Sequence, residues 1–145
     1  MLSDFVREQK VHVAMKGLIV SDGKFLFLKQ KVVDNFFWDL PGGRIIYGES
    51  PEECLRREIF EETKLNVKII KPIGVWSFFR NSDKDQVVCF VFLCNKESGD
   101  VRTDGNPDTT EITESCHWFN KEEFLQSTEV MNDEGLKKFI AELEL

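Results

Sequence analysis

The chain has 145 residues, a net charge of −7, and 41% hydrophobic against 31% charged side chains. That length supports a full core, and the composition excludes a disordered chain or one dependent on disulfides. The acidic balance excludes a protein that coats nucleic acid, which needs dense basic surface. Small phosphorylated ligands stay open, because a divalent cation can stand between carboxylates and phosphate.

The charge is uneven. Seven basic and five acidic residues precede Glu49, and twelve and twenty-one follow from there on. Acidic helices in the second part account for this, and the other reading is a metal-binding acidic half facing a basic, phosphate-tolerant one. Cys54, Cys89, Cys94 and Cys116 form no C-x-x-C pair, so reduced thiols in a cytoplasmic protein are expected. The first residues carry no secretory apolar region and the longest apolar runs are too short for a membrane span. No repeat or linker divides the sequence, so one domain over 1–145 is expected.

In chain order, Val11 to Val20 reads as a strand, ended by the turn Ser21-Asp22-Gly23. Lys24 to Lys31 continues it as a hairpin. Asp39 to Arg44 (DLPGGR) reads as a loop, punctuated by Pro41 and two glycines. Ser50-Pro51-Glu52-Glu53 starts a helix: Ser50 caps, Pro51 suits the first position, and Glu53 completes a capping box. The helix is predicted to reach Thr63. Val67–Phe79 and Gln86–Cys94 read as strands around an Asn81–Asp85 turn, and Glu111–Phe119 as a further strand. Glu122–Gln126 and Asp133–Leu143 read as helices. Without strict βαβ alternation, the fold class is α+β or a mixed-sheet α/β sandwich.

On the first helix Glu58, Glu61 and Glu62 fall within an arc of roughly 100°. Like charges at that spacing destabilise a helix, and two of these lie in its last turn, where the dipole disfavours anions. A bound cation explains such a cluster, and oxygen-only ligands favour Mg²⁺ or Mn²⁺. An ordinary solvated acidic face is the alternative. Leu55 and Ile59 flank the arc and can fix the helix to a sheet, while Arg57 can hold a carboxylate.

The segment Gly43-x5-Glu49-x7-Arg57-Glu58-Ile59-x-Glu61-Glu62-x-Lys64-Leu65 closely resembles the Nudix box, Gly-x5-Glu-x7-Arg-Glu-U-x-Glu-Glu-x-Gly-U with U aliphatic. Eight of its nine specified positions match, and Lys64 replaces the usual glycine. A β-carbon there makes the left-handed helix cap costlier by about 1 kcal/mol, partly offset by a positive charge at the helix end. Trp38-Asp-Leu-Pro-Gly-Gly resembles the family's lead-in, and Trp118-Phe119-Asn-Lys-Glu-Glu-Phe its closing strand-to-helix segment.

The resemblance implies an α/β/α sandwich around a mixed sheet. It also implies Mg²⁺-dependent hydrolysis of a nucleoside diphosphate linked to another moiety, by water attack on phosphorus. Glu58 and Glu62 become the main metal ligands, with Glu61 in addition and a backbone carbonyl from Gly42-Gly43. Glu49 and Arg57 orient them. The general base is either Glu58 or a later acidic residue, Glu111 or Glu114. Phe37, Trp76 and Arg44 are candidate substrate contacts, as are Phe36, Trp38, Phe78, Phe79, Lys16, Lys29, Lys31 and Arg80. His12 and His117 show no triad or metal spacing. The family's ADP-ribose proline and dinucleoside-polyphosphate tyrosine beyond the box are absent, which favours nucleoside triphosphate or nucleotide-sugar substrates. A non-catalytic Nudix domain that binds a nucleotide effector or protein is the alternative. A small-molecule partner is expected, without nucleic acid or membrane, and a homodimer is left open.

Overall fold

The computed structural model describes residues 7–32, 35–80, 82–103, 112–127 and 134–145. The candidate base Glu111 and turn residue Asn81 lie outside them. Strand β1 (Val11–Ser21) is buried continuously from Ala14 to Ile19, as expected of a strand covered on both faces. It ends in a turn with Asp22 at φ 51° and Gly23 at φ 75°, the backbone that Asp-Gly favours in tight hairpins.

Strand β2 (Lys24–Val32) pairs with β1 only at Val20–Phe25 and Ser21–Lys24. It then diverges, pairing antiparallel with β3 (Asn35–Asp39) on one edge. Its other edge pairs with the late strand 112–119. In the place it leaves beside β1 lies β4 (Gly42–Arg44), paired with Ala14–Lys16. The expected Asp39–Arg44 loop is therefore only its Leu40-Pro41 link. Backbone pairing to β1 overrides the local preference of two glycines, and Gly42 fits because a β-carbon there would stand 2.0 Å from the Met15 carbonyl oxygen.

Helix α1 (Pro51–Thr63) has the expected bounds, and Ser50 Oγ accepts the Glu53 N–H. Strands β5 (Asn66–Phe79) and β6 (Gln86–Ser98) form an antiparallel pair, and β6 lies parallel to β1. Strand β7 (Ile112–Phe119) pairs with β2, completing a mixed seven-stranded sheet. Helix α2 (Lys121–Gln126) starts with an Asn120–Glu123 capping box, and α3 (Glu134–Ala141) follows.

Two cores cover the two faces. Leu55 and Ile59 of α1 pack fully buried with Met15, Ile19 and Leu26. A β-carbon on Gly17 would meet Ile59 Cδ1 at 2.8 Å, so that glycine lets α1 approach β1. On the opposite face Phe124 of α2 stacks on Phe27 with centroids 4.0 Å apart, beside Leu136 and Ile140 of α3. This is the α/β/α sandwich. Trp76, a candidate substrate contact, is 5% exposed within this second core. Its role is packing, because its position on β5 turns the indole toward the α2–α3 layer. Among the described residues no helix is long and apolar enough to cross a membrane.

Candidate active site

Strand β4 and helix α1 bring the box residues together. Glu49, in the loop between them, accepts the Ile46 N–H at 2.8 Å. Arg57 grips it with two bonds, Nε to Oε2 at 2.6 Å and Nη2 to Oε1 at 2.9 Å. That fork holds the Glu49 carboxyl down to about 2. The same guanidinium donates from Nη1 to Glu58 Oε1 at 2.9 Å and Glu61 Oε2 at 3.3 Å. Its Nη2 also reaches the Arg44 carbonyl at 3.4 Å. The like charges on α1 are thus offset by one planar donor set that can serve several oxygens at once.

Glu58 packs its carboxylate against Gly43, and burial pushes its carboxyl up, against the opposing pull of Arg57. Glu62 is 6% exposed. Its Oε1 accepts the Gly42 N–H at 2.6 Å and its Oε2 the Gln30 side-chain amide at 3.5 Å. Burial pushes this carboxyl up to about 8, although the Lys16 charge and the Gly42 N–H pull it down. The Gly43 carbonyl accepts the Cys54 thiol at 3.6 Å. Among the described residues no three Asp, Glu, His or Cys side chains are gathered into a single cation cage. Glu61 and Glu58 are turned onto Arg57, and Glu62 onto the backbone of β4.

Lys64 takes the left-handed conformation of the missing glycine, with φ 64°. It caps the helix twice, its backbone N–H to the Phe60 carbonyl at 2.9 Å and its Nζ to the Glu61 carbonyl at 3.2 Å. The ammonium also lies 5.5 Å from the centre of the Phe60 ring. The side chain therefore satisfies the Glu61 carbonyl, which a glycine would leave without this donor.

Lys16, a candidate phosphate contact, is instead buried. Its Nζ donates to Asp39 Oδ2 at 3.0 Å, the Leu40 carbonyl at 3.3 Å and the Gly42 carbonyl at 3.5 Å. It holds the carbonyls on either side of the Pro41–Gly42 peptide, whose N–H meets Glu62. The signal for this was a lysine inside an apolar strand, since a fully buried lysine needs a partner. Arg44 ends β4 exposed, with Nη1 3.2 Å from His12 Nδ1. Phe37 is half-buried on β3 opposite Gln30. Glu114 is exposed and pairs with Lys29 at 3.3 Å.

The NUDIX domain model matches residues 10–143. The chain is 35% identical over 92 residues to a MutT-like protein of Streptomyces ambofaciens, covering 63% of this chain and 56% of that one. It is 37% identical over 93 residues to an ADP-ribose pyrophosphatase of Methanocaldococcus jannaschii, covering 62% and 54%. It thus spans about half the length of these relatives. Its fold matches the crystal structure of a MutT protein from Methanosarcina mazei Go1 with a TM-score of 0.77, at 23% identity over 93% of this chain and 94% of that one. With eight box positions in place and a family match over nearly its whole length, this chain belongs to the Nudix family.

Proposed function

We propose that this domain is a Mg²⁺-dependent pyrophosphohydrolase, also able to use Mn²⁺, that cleaves a nucleoside diphosphate linked to another moiety. One observation carries the reading. Glu58 and Glu62 stand one turn apart on α1 against β4, both with carboxyls raised by burial. A buried carboxylate without a full counter-charge is costly, and a cation relieves that cost. The donors are all oxygens, the chemistry that suits Mg²⁺, and the bare Gly43 leaves room for the Glu58 carboxylate. These residues fit a hard divalent cation.

Glu58 and Glu62 would hold it, with Glu61 and the Gly43 carbonyl completing the set. When bound, the metal supplies positive charge at the phosphates and lowers the pKa of the attacking water. Arg57 and Glu49 keep the carboxylates aimed. Lys16 holds the Leu40 and Gly42 carbonyls that flank the Pro41–Gly42 peptide bonded to Glu62. Glu58 is the candidate that takes the water proton, with Glu111 and Glu114 as alternatives on the later segment. Arg44 and Phe37 are kept as candidate substrate contacts. Substrates of the nucleoside triphosphate or nucleotide-sugar type follow from the missing subfamily markers, and the name of the archaeal relative adds ADP-ribose to the panel. The non-catalytic reading is weakened by three retained box carboxylates.

The test is a panel of nucleoside triphosphates, nucleotide sugars and ADP-ribose incubated with Mg²⁺ and read by phosphate, pyrophosphate or nucleoside monophosphate release. Turnover of at least one substrate is expected. Complete inactivity across the panel contradicts the proposal.

A further inference from the structure

Gln30 sits in the middle of β2, 1% exposed, where an amide needs partners on both its ends. Its Nε2 faces Glu62 Oε2 at 3.5 Å, and its Oε1 accepts the Thr113 hydroxyl at 2.7 Å. Once Glu62 is ionised, an amide turned the other way would set its oxygen against the carboxylate. An ionised Glu62, which only accepts, selects the orientation that offers it N–H, and the Thr113 hydroxyl satisfies the amide oxygen left on the other side.

Thr113 reaches that position through a break in register. Along β2 and β7, Lys29 faces Ser115 but Gln30 faces Thr113, so Glu114 is an extra residue in the ladder. In an unbroken antiparallel pair Gln30 would face Glu114, and Thr113 would point to the other side of the sheet. The bulge moves Glu114 out to Lys29, 3.3 Å away, and brings the Thr113 hydroxyl under Gln30. Bulges commonly re-aim side chains beside active sites.

We propose that Gln30 is a positioning residue for Glu62, held at its amide oxygen by Thr113 across the bulge at Glu114. With the Gly42 N–H on one oxygen and Gln30 on the other, the Glu62 carboxyl is held in one orientation before a cation arrives. The inference rests on the reading of Glu62 as a metal ligand.

The experiment titrates Mn²⁺ into the metal-free protein without nucleotide, followed by electron paramagnetic resonance, for wild type, Gln30→Leu, Thr113→Val and Thr113→Ser. Partners behind a metal ligand typically change affinity 10- to 100-fold, so Gln30→Leu is expected to raise the Mn²⁺ Kd about tenfold or more. Thr113→Val, which keeps shape and loses the donor, is expected to raise it about threefold, and Thr113→Ser to return it to within about twofold of wild type. At saturating Mg²⁺ the kcat of Thr113→Val should stay near the wild-type value while the half-saturating Mg²⁺ rises. Thermal melts show whether Gln30→Leu folds; if it does not, the Thr113 pair decides. Wild-type Mn²⁺ affinity in Thr113→Val, or equal losses in Thr113→Ser and Thr113→Val, overturns the inference and leaves the metal reading standing. Absence of Mn²⁺ binding by the wild type overturns both.

Discussion

The Glu58 carboxylate occupies the space beside Gly43 that any side chain would need: a β-carbon on Gly43 would stand 2.5 Å from both Cδ and Oε2 of Glu58. Gly43 is thus required for the position of a carboxylate, whereas Gly42, at φ 140° and against the Met15 carbonyl, is required for the backbone itself. Gly43→Ala should leave Tm nearly unchanged and reduce kcat/KM by about 100-fold, the size of effect a small misplacement produces. Gly42→Ala should instead destabilise the fold by about 2 kcal/mol or more. Melting curves and turnover of the two variants separate the roles, and a fully active Gly43→Ala protein would contradict the first.

Arg57 serves Glu49, Glu58, Glu61 and the Arg44 carbonyl from one plane. A lysine has one charged centre and cannot span them, so Arg57→Lys is expected to lose about 10- to 100-fold in turnover. The Glu49 carboxyl is held down to about 2 from an ordinary value of 4.5. Its stabilisation is therefore present above pH 4.5 and lost as the pH falls toward 2. Melting of Glu49→Gln against wild type should show a gap at pH 7 that closes toward pH 2, and a constant gap would contradict the assignment.

Glu62 has the opposite sign. Its carboxyl is raised from 4.5 to about 8, so between those values the folded protein keeps a proton that the unfolded chain has lost. Through that window rising pH weakens the metal-free fold, and a cation that binds Glu62 must expel the proton. Titration calorimetry with Mg²⁺ at pH 7 in two buffers of different ionisation enthalpy should show release of about one proton, absent in Glu62→Gln. Equal heats in both buffers for the wild type would count against this site.

Asp85 anchors the chain before β1. It takes two bonds from Arg7, at 2.6 and 2.8 Å, one from the Lys10 N–H at 3.0 Å, and lies 2.6 Å from His12 Nε2. The Arg7 guanidinium leads in holding its carboxyl well below the usual carboxylate range. Asp85→Asn should lower Tm at pH 7, with the deficit shrinking as pH falls below about 4, while turnover at low temperature is kept. Because His12 in turn meets Arg44, a large loss of turnover would show that the anchor also shapes the site.

The parts of the fold written in neighbouring residues were legible in the sequence. Ser50-Pro51 set the start of α1, Asp22-Gly23 closed the first hairpin, and the glutamate spacing located the box. The parts that depend on distant strands were not. Gly42–Arg44 became a strand because β2 leaves β1 after two pairs, a divergence with no local signature. The burial of Lys16 depends on Asp39 reaching it from β3, and the bulge that turns Thr113 toward Gln30 exists only in the pairing of β2 with β7. Trp76 reads as a candidate substrate contact in the sequence because an exposed aromatic and a core aromatic look alike on a strand. Lys64 shows the converse: a departure from the box that the structure absorbs locally.

The most direct measurement is the Mg²⁺ dependence of nucleotide turnover in Glu62→Gln, Glu61→Gln and wild type, with folding checked by melting. Glu62→Gln is expected to lose at least about 100-fold in kcat/KM, since residues behind a ligand already cost about 10- to 100-fold. Glu61→Gln, whose carboxylate is half-exposed and held by Arg57, should lose less. Unchanged Mg²⁺-dependent turnover in a folded Glu62→Gln protein would contradict the account.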